Sequence, residues 1–152
     1  SMVGAEGHVL GIDITPTFVD FMKERVQRDE SSSSDNVTIS LCTSTSTELP
    51  KDVADVAFIC DVYHHFEYPK TFMTDLRSNL RTNGMVYLID FHRDPSKMTS
   101  HPGQWALDHI RAGKDEFMRE IEESGFEMIE EPDLGLGENY CMVFIKKDDK
   151  YL

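Results

Sequence analysis

Short apolar runs alternate with longer amphipathic stretches along the chain, and each change of period falls at a cap or turn residue. Gly7–Ile12 (GHVLGI) predicts a strand ending at Asp13. Thr15 stands where a helix N-cap belongs and Pro16 at the first helical position, so a helix is expected from Pro16 to about Arg28. Phe18, Val19, Met22 and Val26 would form its core stripe. Residues 30–36 hold four consecutive serines and predict a flexible loop. Val37–Leu41 predicts a second strand, followed by a Thr/Ser-rich turn. Ala57–Cys60 is a brief apolar run, expected to be a strand buried on both faces of a parallel sheet. Pro69 opens a helix with Phe72, Met73, Leu76 and Leu80 on one stripe, and Asn83-Gly84 is expected to end it in the left-handed conformation. Met85–Ile89 predicts the next buried strand.

Gln104–Ile110 predicts a short helix, and Lys114–Ser124 a clearer one, with Phe117, Met118 and Ile121 inward and Gly125 past its end. Phe126–Glu131 and Tyr140–Lys147 predict two strands joined by a Gly-rich loop and paired antiparallel by proximity. Alternating strands and helices place the chain in the α/β class, and its 152 residues predict a single domain over 1–152. The net charge of −13, from 15 basic and 28 acidic residues, argues against a nucleic acid or an anionic membrane as partner, because both need basic patches. No apolar run approaches the ~20 residues of a membrane span, no leader peptide is expected, and the expected location is cytoplasmic. Cys42, Cys60 and Cys141 sit in or beside apolar strand patterns without metal-ligand spacing, so buried free thiols in a reducing compartment are expected.

Two consecutive strands end in titratable clusters. The first stops at Asp61-Val62-Tyr63-His64-His65, the second at Asp90, His92, Arg93 and Asp94. In open α/β sheets ligands gather beyond the carboxyl ends of the strands, so a ligand site is expected there. Adjacent histidines point different ways on a regular helix or strand, so His64 and His65 are not expected to share a metal ion. One of them facing a ligand as base or hydrogen bonder is the expected alternative to simple packing under the following helix. His92, Arg93 and His109 are further candidate contacts. Gly135-Leu136-Gly137 is a lone GxG in a hairpin connection and is expected to be a turn with no phosphate role.

The element order, together with GHVLGIDI, the ELP before DVAFICDVYHHFEYP, NGMVYLIDF and the closing GFEMIEE…NYCMVFIK pair, resembles the class I S-adenosylmethionine-dependent methyltransferases over essentially the whole chain. The similarity is nearest to the UbiE-like group acting on low-molecular-weight acceptors. The resemblance implies a Rossmann-like, mostly parallel seven-stranded sheet with a C-terminal antiparallel strand. It also implies S-adenosyl-L-methionine as cofactor and a small-molecule methyl acceptor. By position in the family's motifs, Asp13 would accept the ribose hydroxyls, Ile14 would flank the adenine, and Thr43 beside Ser44 would stand where the family carries an adenine-site acid. Asp61 and Val62 would face the methionine moiety, and His64 and His65 the transferred methyl group.

The chain starts past the point where the family places its first strand and Gly-rich turn, which implies either an N-terminally truncated form or one that has lost the motif. Without that turn, binding of the cofactor is expected to be weak. Direct pairing of the His8–Ile12 and Ala57–Cys60 strands across the gap is expected, and a homodimer covering the exposed sheet face. Two functions stand side by side: methyl transfer, or a catalytically inactive methyltransferase-like module that binds a partner. A nicotinamide oxidoreductase is disfavoured by the closing antiparallel pair and the missing dinucleotide fingerprint.

Overall fold

In the computed structural model, residues 3, 4, 6–28 and 36–148 are described. The chain divides into two units, residues 1–48 and residues 49–152. The expected serine-rich loop falls mostly on residues 29–35, outside the described residues.

The first unit is a strand–helix–strand. β1 (Val9–Asp13) lies parallel to β2 (Val37–Leu41), Val9 opposite Val37 and Asp13 opposite Leu41. Between them runs α1 (Pro16–Arg28), which starts where the Thr15-Pro16 signal places it. The Asp13 carboxylate accepts the Thr15 N–H at 2.7 Å, and the Thr15 carbonyl accepts the N–H groups of Phe18 and Val19. Arg25 and Arg28 in the last turn suit the negative end of the helix dipole. The expected core stripe holds only in part: Val19 is buried and Met22 and Val26 are half-buried, but Phe18 is 60% exposed, beside the equally exposed Phe21. Helical spacing fixes which residues share a face, not what covers that face.

The second unit contains β3 (Ala54–Cys60), a 3₁₀ turn at Tyr63–His65, α2 (Pro69–Asn79), β4 (Leu80–Phe91), a 3₁₀ turn at Pro95–Lys97, α3 (Gly103–His109), α4 (Lys114–Glu123), β5 (Phe126–Glu130) and β6 (Asn139–Lys146). Its sheet order is β3-β4-β6-β5, with β3 parallel to β4 and β6 antiparallel to both its neighbours. The core gathers Tyr63 and Met73 with Val86 and Leu88 of β4, Phe117 and Ile121 of α4, and Phe144 of β6, all below 1% exposure. The closing antiparallel pair is as the sequence predicts.

Three expectations fail here for physical reasons. α2 ends at Asn79 rather than at Asn83-Gly84, because Leu80 already pairs with Ala54 in the sheet. The register then jumps from Ala54–Leu80 to Val56–Met85, so Arg81–Gly84 form a bulge in which Asn83, with φ 61°, takes the left-handed conformation. Gly84 is needed for a different reason: a Cβ there would lie 2.8 Å from the Leu80 Cβ. Second, β3 is the edge strand of its sheet and is covered on one face only: Ile59 is buried while Val56 and Phe58 are exposed. Cys60 is exposed on the same strand, whereas Cys42 and Cys141 are buried as expected. Third, the expected β1–β3 ladder is not among the strand pairings of the described residues. The two strands belong to separate sheets, each finding its parallel neighbour through its own strand–helix–strand crossover.

Candidate functional site

In the first unit the candidate residues sit at the carboxyl ends of β1 and β2. Asp13 uses one carboxylate oxygen to hold the Thr15 N–H, so it acts as a local turn acceptor whatever else it binds. Ile14, next in the chain, is 54% exposed. The Thr43 hydroxyl accepts the N–H groups of Thr45 and Ser46, at 3.3 and 3.0 Å, and organises the turn after β2. Ser44 is half-buried in that turn.

In the second unit β3 is followed by Asp61, whose φ of 54° puts a non-glycine residue in the left-handed region. Asp is among the residues that tolerate this, and such positions cluster at functional turns. The reversal is pinned from both sides. The Asp61 N–H donates to the Ile89 carbonyl at 2.9 Å, and the Asn139 amide donates to the Asp61 carboxylate at 2.6 Å. Burial, with the nearby Asp90 charge adding to it, raises the Asp61 pKa. Val62 follows, exposed.

Asp90 decides the local architecture. Val86, Leu88 and Asp90 alternate on the buried face of β4, so the strand's period of two carries a carboxylate into the core. It accepts the His64 ring Nδ1–H at 2.6 Å, the His64 backbone N–H at 3.0 Å and the Phe91 N–H at 2.8 Å. The carboxylate thereby fixes the tautomer of His64 and leaves the lone pair on Nε2. His64 is itself buried.

The 3₁₀ turn overturns the expectation that the adjacent histidines diverge. Its tight winding brings the His64 and His65 rings to a centroid separation of 4.1 Å. His109, at the end of α3, closes the group at 5.2 Å from His64 and 4.8 Å from His65. Trp105 stacks on His109 at 4.5 Å, and its other neighbour in the stack is His101 at 4.1 Å. Burial and the two neighbouring histidines lower the His65 pKa.

Two other candidates have structural duties. The Arg93 guanidinium donates to the carbonyls of Leu107 and Ile110 at the end of α3. His92 contacts the Lys97 ammonium at 3.0 Å, and burial lowers its pKa. Gly135 and Gly137 both have positive φ, which suits the expected turn.

Sequence patterns missed Glu138 and the Arg111–Glu120 pair. Glu138 follows the Gly-rich turn and accepts the backbone N–H and hydroxyl of both Thr99 and Ser100. These donors pull its pKa down to about 2. A depressed folded-state value stabilises the protein above the ordinary glutamate range and loses that stabilisation as pH falls toward about 2. Glu138→Gln is therefore expected to flatten the acid limb of the melting-temperature profile below about pH 4.5; an unchanged limb in thermal melts would refute it.

The model of a family described as a methyltransferase domain matches residues 2–86. The chain belongs to this family. Solved methyltransferase structures share its fold, the Rossmann-like α/β fold of class I methyltransferases. A SAM-dependent methyltransferase from Aquifex aeolicus is similar at 20% identity with a TM-score of 0.77, covering 95% of this chain and 71% of that one. A putative type 11 methyltransferase from Sulfolobus solfataricus matches at 17% identity and TM-score 0.67, over 94% and 73%. An S-adenosylmethionine-dependent methyltransferase from Mesorhizobium loti matches at 12% and 0.66, over 91% and 80%. No curated protein matches the sequence.

Proposed function

We propose that this methyltransferase domain moves a methyl group from S-adenosylmethionine to a small-molecule acceptor, residues 1–152 forming one functional domain. The observation that carries it is the family match over residues 2–86, a span that includes Asp13, Ile14, Thr43, Ser44, Asp61, Val62, His64 and His65. The donor set fits the cofactor's chemistry. Asp13 and Asp61 put carboxylates at strand ends, suited to hydroxyl and ammonium donors. Ile14 and Val62 offer exposed apolar surface beside them. When bound, S-adenosylmethionine supplies an electrophilic methyl on a sulfonium, already activated for displacement.

The protein's part is then alignment and exclusion of water, with proton handling secondary. Asp13 would orient the ribose, with Ile14 beside the adenine. Thr43 would give the adenine edge a hydroxyl partner, with Ser44 beside it. Asp61 and Val62 would hold the methionine end. His64 and His65 would line the acceptor's side of the site, and Asp90 keeps His64 in one tautomer. The negative net charge favours a small acceptor over a nucleic acid.

Asp13→Ala is expected to weaken binding of S-adenosylhomocysteine by about 1.5–3 kcal/mol, the range for hydrogen bonds to charged groups. Isothermal titration of the two proteins tests it. Equal affinities would reduce Asp13 to the turn acceptor of Thr15.

A further inference from the structure

We infer that His64, His65 and His109 form a binding site for one divalent transition-metal ion. One ligand nitrogen from each of the three rings lies within 4.8 Å of the other two. Tetrahedral ligation at about 2.0–2.1 Å sets nitrogens roughly 3.3 Å apart, so closing the set needs only side-chain adjustments of the order of an ångström. His65 and His109 are exposed, while the third ligand, His64, is fixed by Asp90.

The fixed ligand is built as metal-bound histidines are. Such a histidine donates its other ring N–H to a carboxylate, which sets the tautomer and raises the basicity of the ligating nitrogen. His64 does this through Nδ1–H to the fully buried Asp90 at 2.6 Å, which leaves Nε2 open to an ion. Asp61 and Asp90 both lie within electrostatic reach of His64, and two acids beside three imidazoles favour a cation. Three imidazoles suit zinc, copper, iron, cobalt or nickel rather than magnesium or calcium. Three protein ligands also leave a fourth position open, the arrangement of reactive rather than purely structural zinc sites.

That open position would take water or the acceptor's oxygen, nitrogen or sulfur atom. Placing the acceptor there rests on the methyltransferase reading; binding of the ion does not.

The test uses the full chain freed of metal, without cofactor or acceptor, so failure to bind metal leaves methyl transfer untouched and the reverse holds too. Cobalt chloride is titrated while d–d absorption and the fluorescence of Trp105, the chain's only tryptophan and stacked on His109, are followed. Zinc competition against an indicator dye gives stoichiometry. One ion per chain is expected, with tetrahedral cobalt bands and quenching of Trp105. His65→Ala and His109→Ala, both at exposed positions, are expected to lower affinity roughly tenfold or more. His92→Ala, outside the group, should bind as the parent does. Absence of binding, or equal binding by the His65 and His109 variants and the parent, would overturn the site.

Discussion

Glu120→Ala is expected to destabilise the second unit by about 1–3 kcal/mol, because it removes a buried carboxylate that the solvent-exposed Arg111 and the buried Tyr63 hydroxyl both bind. Glu120 is 6% exposed, on the inner face of α4. Both its oxygens are taken by Arg111, at 2.7 and 2.6 Å, and one also accepts the buried Tyr63 hydroxyl at 3.2 Å. The Arg111 guanidinium lies over the Phe117 ring at 4.5 Å and near the Tyr63 ring at 5.4 Å. Removing the carboxylate strands a cation between two aromatic faces and leaves a buried phenol without its acceptor. A fall in melting temperature of roughly 10 °C should follow. Glu120→Gln, which keeps the shape and an acceptor, should lose less. The double variant Arg111→Leu/Glu120→Leu should recover part of the loss, because an apolar side chain at the buried position 120 needs no charged partner. Thermal and urea melts across that cycle would check it, and a double variant as unstable as Glu120→Ala would show that shape, not charge pairing, sets the cost.

Asp90→Ala carries the second large effect. Three N–H donors, two of them from His64, would lose a fully buried acceptor. Each unsatisfied buried donor costs about 1–3 kcal/mol, so a loss of several kcal/mol is expected. Asp90→Asn separates stability from chemistry. Its amide oxygen can still accept one of these N–H groups, so the protein should remain folded. The competing amide N–H and the lost charge should, however, shift His64 away from the Nδ1–H tautomer. Nitrogen NMR of the imidazoles would read this directly; an unchanged tautomer in Asp90→Asn would mean that some other contact orients the ring.

What could be read from the sequence was local. Pro16 after Thr15 placed the start of α1, and the alternation in Val37–Leu41 placed β2 to the residue. The same alternation carried a signal that went unused. In Val86-Tyr87-Leu88-Ile89-Asp90 the acid falls in phase with Val86 and Leu88, which marks it as a buried carboxylate needing partners. The histidine group was out of reach for another reason. His109 is 44 positions beyond His65, and only the packing of α3 in the folded unit brings the two rings together. The adjacent pair misled because a helix or strand was assumed, whereas three residues of 3₁₀ winding place the rings together. Phe18 showed the converse limit, a residue on the expected stripe with nothing over it.

The exposed thiol of Cys60 offers a handle on this chemistry. It is one residue from Asp61 and the only one of the three cysteines at the surface, so a thiol-directed fluorophore would attach next to the Asp61 turn and report on what enters there. Partial desolvation at the strand end, reinforced by the Asp61 charge, raises its pKa and keeps it a sluggish nucleophile. Labelling should therefore be slow at neutral pH and quicken in alkaline buffer. The same reluctance protects freshly purified protein from forming disulfide-linked pairs in air.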